Sequence, residues 1–145
     1  MQELPHRYCV GAASTPEGFV ALSSPGLARL ESASPAEFGG PGDQWSPETL
    51  LVAAIADCFV LSFKAVAKAS KFDWLSVSCE VEGTLDRKDG RLQFVSYRVR
   101  AVLDVPAGTD EARTHRLLEK AEDNCLITNS LNGEVVLEPE VRVAR

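Results

Sequence analysis

The chain has 145 residues, 45% of them hydrophobic and 25% charged, with a net charge of −6. That length suits one domain spanning residues 1–145, with enough chain for a sizeable core. The acidic balance leaves no basic surface to neutralise phosphates, which argues against a nucleic-acid partner.

The opening segment, Met1 to Arg7, contains no apolar core of signal-peptide length. The longest apolar run, Leu50 to Phe63, contains Asp57 and Ser62 and is too short to cross a bilayer. It reads as a buried core helix, not a membrane span, and the expected location is the cytoplasm. In a reducing compartment, cysteines are more readily free, catalytic or metal-bound than locked in structural disulfides. There is no Cys-x-x-Cys, and His6 and His115 are the only histidines. No four-ligand zinc set can be assembled, and no metal or cofactor is expected.

In chain order, three short strands come first. Arg7 to Ala12, Phe19 to Leu22 and Leu27 to Ser32 are separated by the turn signals Thr15-Pro16-Glu17-Gly18 and Ser23-Ser24-Pro25-Gly26. They predict a small antiparallel meander. A loop rich in glycine and proline covers 33 to 45. Ser46 then caps a helix, with Pro47 at its first position and Glu48 at the positive end of its dipole. This helix is predicted from Pro47 to about Ser70 and is apolar nearly all round in its first half. Trp74 to Leu85 alternates, with Val77, Cys79 and Val81 facing one way. Arg87-Lys88-Asp89-Gly90 makes a hairpin turn into a long strand from Arg91 to Val105. That strand changes phase between Phe94 and Val95, which predicts a bulge. Thr109 is expected to cap a second helix, with Leu117, Leu118, Ala121 and Cys125 on one face. Val135 to Ala144 forms the last strand. The fold class is α+β, with antiparallel sheets packed around a long central helix.

Two of the four cysteines invite a chemical reading. Cys58 lies well inside the apolar helix, too far from its N-terminus for the dipole to ionise it. Burial in apolar surroundings raises a thiol pKa, so an active Cys58 needs a cation from elsewhere. Taken alone it reads equally as a small buried hydrophobe. Cys125 stands where a helical pattern stops, beside Asn124, Thr128 and Asn129, a place where a side chain can move. The pair is compatible with thiol redox chemistry and equally with two core residues. Cys79 and Cys9 read as structural thiols in strands. Glu48 complements its helix dipole, yet a straight helix puts it ~15 Å from Cys58. A role for it at the thiol therefore points to the Cys58 of a second subunit. Asp57 adjoins Cys58 but points away around the helix.

Gly39-Gly40-Pro41-Gly42, then Ser46-Pro47-Glu48-Thr49-Leu50-Leu51, then Ala56-Asp57-Cys58, resembles the first cysteine motif of the OsmC/Ohr family. These are the osmotically induced protein C and organic hydroperoxide resistance proteins. Ala121-Glu122 through Cys125 to Ser130-Leu131 and Gly133 resembles the second. The resemblance covers nearly the whole chain and implies an OsmC-like fold and an intertwined homodimer. It implies a peroxidase with Cys58 as the peroxidatic thiol, Cys125 as the resolving thiol and Glu48 as part of the activating set. A Cys58–Cys125 disulfide, an organic or hydrogen peroxide substrate and an external dithiol reductant, such as a lipoyl group, belong to the same implication. Two departures point to an OsmC-like branch. Leu126 follows the second cysteine where the Ohr branch usually has proline. Ala13-Ser14-Thr15-Pro16 stands about where the family's activating arginine lies, leaving Arg29 and Arg7 as the nearest candidates. The alternative is a non-enzymatic relative that binds a small apolar or thiol ligand at the dimer interface.

Overall fold

Glycine and proline turns fold the N-terminal strands back on themselves. β1 (Gly11–Ala13), β2 (Val20–Ser23) and β3 (Leu30–Ser32) pair antiparallel in that order, as the turn spacing predicts. The strands are shorter than expected. Residues from Arg7 to Val10 and from Leu27 to Arg29 are exposed and stay outside the ladder. A 3₁₀ turn, Ala36–Phe38, interrupts the following loop. This computed structural model describes residues 1–145, which group into two units, Met1–Leu50 and Leu51–Arg145.

α1 (Pro47–Ala69) begins as the sequence dictates. Ser46 Oγ accepts from the Thr49 amide at 3.1 Å, and Thr49 Oγ1 accepts from the Ser46 amide at 2.8 Å. This reciprocal cap satisfies two orphan donors, with threonine in the place glutamate usually takes. At the other end, the Phe72 amide reaches Ala67 O and the Lys71 amide reaches Lys68 O. Lys71 adopts φ 48° between them. This is a Schellman stop with lysine in the left-handed position that glycine usually fills. The Arg113 guanidinium donates to Ser70 O at 2.9 Å, covering another terminal carbonyl.

In the second unit, β4 (Ser76–Lys88), β5 (Arg91–Val105) and β6 (Glu134–Val143) form a sheet in that order. Asp89 and Gly90 form the β4–β5 turn with φ of 51° and 78°. Positive values at both central residues are what a tight hairpin of this twist requires. Thr84 pairs with Ser96 and Leu85 with Phe94, which leaves Val95 bulged at the predicted phase change. β6 pairs parallel to β5, where an antiparallel sheet was expected. The chain leaves β5 through α2 (Glu111–Asp123) and α3 (Leu126–Asn129), and a helical crossover returns it in the same direction. α2 is capped by Asp110, whose carboxylate accepts from the Arg113 amide at 2.9 Å. The expected cap, Thr109, lies one residue too early, and its hydroxyl donates to Pro106 O instead.

One core joins these elements. Ile55, Phe59, Phe63, Val66 and Ala67 of α1 pack with Tyr97, Val99, Ala101, Leu103 and Val105 of β5 and with Leu117, Leu118 and Ala121 of α2. α1 is long and apolar enough to cross a membrane by composition, yet this buried face makes it the core helix. The opposite face of the sheet is polar. Arg98 and Arg100 each pair with Glu138, at 3.2 and 3.1 Å, but such exposed pairs contribute only ~0–1 kcal/mol.

Gly83 lets the helix and strand approach. A Cβ there would lie 2.9 Å from Val52 Cγ2 and 3.0 Å from Phe94 Cε1. Gly83→Ala is expected to destabilise the protein by about 1–3 kcal/mol through overpacking. Chemical denaturation checks this, and an unchanged midpoint contradicts it.

Candidate active site

The second unit brings Cys58 and Cys125 together. α2 ends at Asp123, and Asn124 and Cys125 turn the chain before α3 starts. Cys125, with φ −69° and ψ 106°, occupies the cap position of α3, and no side chain caps that helix. The amides of Leu126 and Ile127 therefore have no acceptor from a capping side chain, and α1 presents Cys58 to them. The Cys125 side chain is fully buried beside the Cys58 sulfur. Ser62, one helical turn beyond Cys58, places its Oγ 3.9 Å from the Cys58 Sγ.

These contacts divide the two thiols. Burial pushes the Cys58 pKa up, but the Ile127 amide, the Cys125 thiol, the Ser62 hydroxyl and the Leu126 amide push it down and win. Cys58 therefore titrates below the ordinary thiol value. Burial pushes Cys125 up, against the lowering effect of the Thr128 hydroxyl and amide, and the neighbouring Cys58 adds to the rise. Of the two thiols, Cys58 is therefore the easier to ionise and Cys125 the harder. The groups that lower Cys58 within this chain are neutral donors. No guanidinium is among the groups that act on Cys58. Sequence reasoning missed Ser62 and the two amides. The signal was Leu126 itself, because a proline there would have no N–H to give.

A cleft of about 550 Å³ opens over Cys58, lined by Ala54, Leu61, Ala65, Val66, Leu126 and Ile127, with Asp57, Ser62 and Asn124 as polar members. Ile55, Phe59 and Phe63 are fully buried core residues and do not line it. Asp57 lines the cleft but is not among the groups that act on the thiol.

Cys79 sits half-buried on the core face of β4, as expected, and burial followed by the charges of Glu122, Cys125 and Glu80 pushes its pKa up to about 12. Cys9 is a correction. It precedes β1 and is exposed, because the first strand starts later than predicted. Glu48 lies in the first turn of α1, and its Oε2 is buried without a partner. Arg7 and Arg29 are both exposed, and Arg29 falls just before β3 rather than inside it.

A family model described as OsmC-like protein matches residues 40–140, which include both cysteine segments. The chain belongs to the OsmC-like family. Among its OsmC-like relatives is an uncharacterized protein, YmaD, of Bacillus subtilis, 30% identical over 112 residues that cover 75% of each chain. The organic hydroperoxide resistance protein of Xanthomonas axonopodis pv. citri is 32% identical over 117 residues, covering 79% of this chain and 80% of that one. The fold matches an OsmC-like protein of unknown function from Vibrio cholerae with a TM-score of 0.84 at 18% identity, covering 93% and 99% of the two chains. The names of such relatives tie this OsmC-like chain to peroxide defence at the level of the family.

Leu126→Pro isolates one donor. The φ and ψ of Cys125 already suit a residue before proline, and the first position of a helix accepts proline. Losing one hydrogen bond of ~0.5–1.5 kcal/mol should raise the Cys58 pKa and slow its alkylation at neutral pH about two- to tenfold. Alkylation rate against pH measures this, and an unshifted profile contradicts the assignment of the Leu126 amide.

Proposed function

We propose that the chain is a thiol peroxidase of oxidative-stress defence. The Cys58 thiolate attacks a peroxide oxygen, releases water or an alcohol, and becomes a sulfenic acid. The Cys125 thiol condenses with it to a Cys58–Cys125 disulfide and a second water leaves. An external dithiol, lipoyl-type in the Ohr branch, then reduces the disulfide by exchange. The observation that carries this reading is the placing of Cys125, buried and hard to ionise, beside the more easily ionised Cys58 beneath an apolar cleft. A thiolate is the nucleophile required, and a neighbouring thiol that keeps its proton does not compete for the peroxide. The cleft favours an alkyl hydroperoxide over hydrogen peroxide, because its lining offers mostly apolar contact. The rival reading, an apolar-ligand binder, calls for separated cysteines, and it is the adjacency of the two thiols that favours the enzyme.

The proposed assembly is a cytoplasmic homodimer in which Glu48 of one subunit serves the Cys58 of the other. Two observations support it. Ten residues of unbroken α1 separate the two side chains, ~15 Å along the axis, and Glu48 Oε2 is buried with its hydrogen-bonding capacity unused. In addition, α1 buries only the face made by Ile55, Phe59, Phe63, Val66 and Ala67, and leaves Leu61 56% exposed. An apolar helix with one face uncovered in a single chain calls for a partner surface. Arg29 or Arg7 would complete the activating set in this scheme.

Cys58→Ser is expected to abolish peroxide consumption, as followed by stopped flow with alkyl and hydrogen peroxides. Retention of most of the wild-type turnover would falsify the mechanism. Sedimentation at micromolar concentration is expected to show a dimer, and a stably folded monomer contradicts the shared site.

A further inference from the structure

We propose that Glu122 is the proton acceptor for Cys125, linked to its thiol through the Thr128 hydroxyl, when the disulfide with Cys58 closes. This rests on the two-cysteine reading above and assigns a residue that the reading leaves idle. Glu122 lies in the last turn of α2, and its Oε1 is 3.2 Å from Thr128 Oγ1. Its Oε2 is buried and has no partner. Thr128 is itself buried, and its hydroxyl also lies 3.2 Å from the Cys125 carbonyl oxygen. The hydroxyl and the amide of Thr128 both favour the ionised form of the Cys125 thiol, the form that closes the disulfide. One hydroxyl therefore stands between the Glu122 carboxyl and the backbone of Cys125. It holds one proton and two lone pairs, so it can accept from the thiol while it donates to the carboxylate.

The surroundings suit this task. The groups that act on the carboxyl are Thr128 on α3 and Asp123 on α2, and its charge in turn reaches Cys79 on β4, beside Glu80. β6, which packs against α2, turns Val135, Leu137, Val141 and Val143 to the core. No cation is among the groups that act on Glu122. Burial first, and then Asp123, raise it above the ordinary carboxylate range against the bond from Thr128. A base of this kind holds and releases a proton closer to neutrality than an exposed glutamate does. The Glu122 Oε2 has no bond within the fold and is free to take a proton.

The step balances. The S–H bond of Cys125 breaks, and its proton passes through the Thr128 hydroxyl to the Glu122 carboxylate. The Cys125 sulfur bonds to the Cys58 sulfur, and the sulfenic S–O bond breaks. The leaving hydroxide takes a proton from water in the cleft, and Glu122 returns its proton to solvent. The net change is one sulfenic acid and one thiol converted to a disulfide and water.

Single-turnover stopped flow on the full chain, with one equivalent of tert-butyl hydroperoxide, separates the two steps. Dimedone trapping reports the sulfenic acid, and non-reducing mass analysis reports the disulfide. In Glu122→Gln the first step is expected to stay within about twofold of wild type, while disulfide closure slows at least about tenfold and sulfenic acid accumulates. In wild type, closure accelerates as pH rises through the ionisation of Glu122. In Glu122→Gln that inflection disappears and the rate follows only the ionisation of Cys125 at higher pH. Glu122→Asp restores the inflection. Thr128→Val keeps the carboxyl, removes the link and reproduces the loss. Wild-type closure and pH profile in Glu122→Gln and Thr128→Val overturn the proposal. So does a uniform loss of rate with an unchanged profile, which marks a structural role. A wild-type protein that forms neither sulfenic acid nor disulfide overturns the peroxidase reading instead.

Discussion

The break between α2 and α3 is the feature on which the candidate site depends. Had α2 continued through Asn124 and Cys125, the amides of Leu126 and Ile127 would bond to carbonyls of the preceding turn. Because the helix stops, those amides are left to favour the ionised form of Cys58, and Cys125 is buried beside it. The same break lets Thr128 reach back to the Cys125 carbonyl and to Glu122. A few residues of irregular backbone thus supply the anion stabilisation, the second thiol and its hydroxyl neighbour. The rigid partner is α1, clamped by Ile55, Phe59 and Phe63 against β5. Precision at the thiol pair comes from this packing.

The four cysteines show how environment sorts one side chain into several chemistries. Cys58 has neutral donors around it and an open cleft above, so its thiolate is favoured. Cys125 is fully buried beside the more easily ionised sulfur, so its own ionisation is opposed. Cys79 faces Glu122 and the core, where ionisation is opposed by both burial and like charge. Cys9 is exposed and has no such neighbours. Reactivity here follows from which donors each sulfur meets, and those donors come mostly from backbone.

Much of the fold was legible in the residues. Ser46-Pro47-Glu48 marked the start of α1, Asp89-Gly90 the hairpin, and the phase change at Phe94 and Val95 the bulge. These are local signals with local causes. The parallel pairing of β6 was not legible, because strand direction depends on the crossover and not on any residue within Glu134–Val143. The exposure of Cys9 was missed for a related reason. A short apolar alternation predicts a strand, but only a neighbour in the ladder makes it one. At the candidate site, the two cysteines stood out by position, whereas Ser62, Thr128 and Glu122 did not. A serine one turn from a thiol, or a glutamate in a last helical turn, looks ordinary until the fold sets it against sulfur.

The central claim is that Cys58 and Cys125 form one redox pair. The direct measurement is peptide mapping by mass spectrometry after one equivalent of alkyl hydroperoxide, with free thiols blocked before digestion. The account predicts a Cys58–Cys125 disulfide, with Cys9 and Cys79 recovered as blocked thiols. A disulfide between any other pair, or four blocked thiols after the peroxide has been consumed, would contradict it.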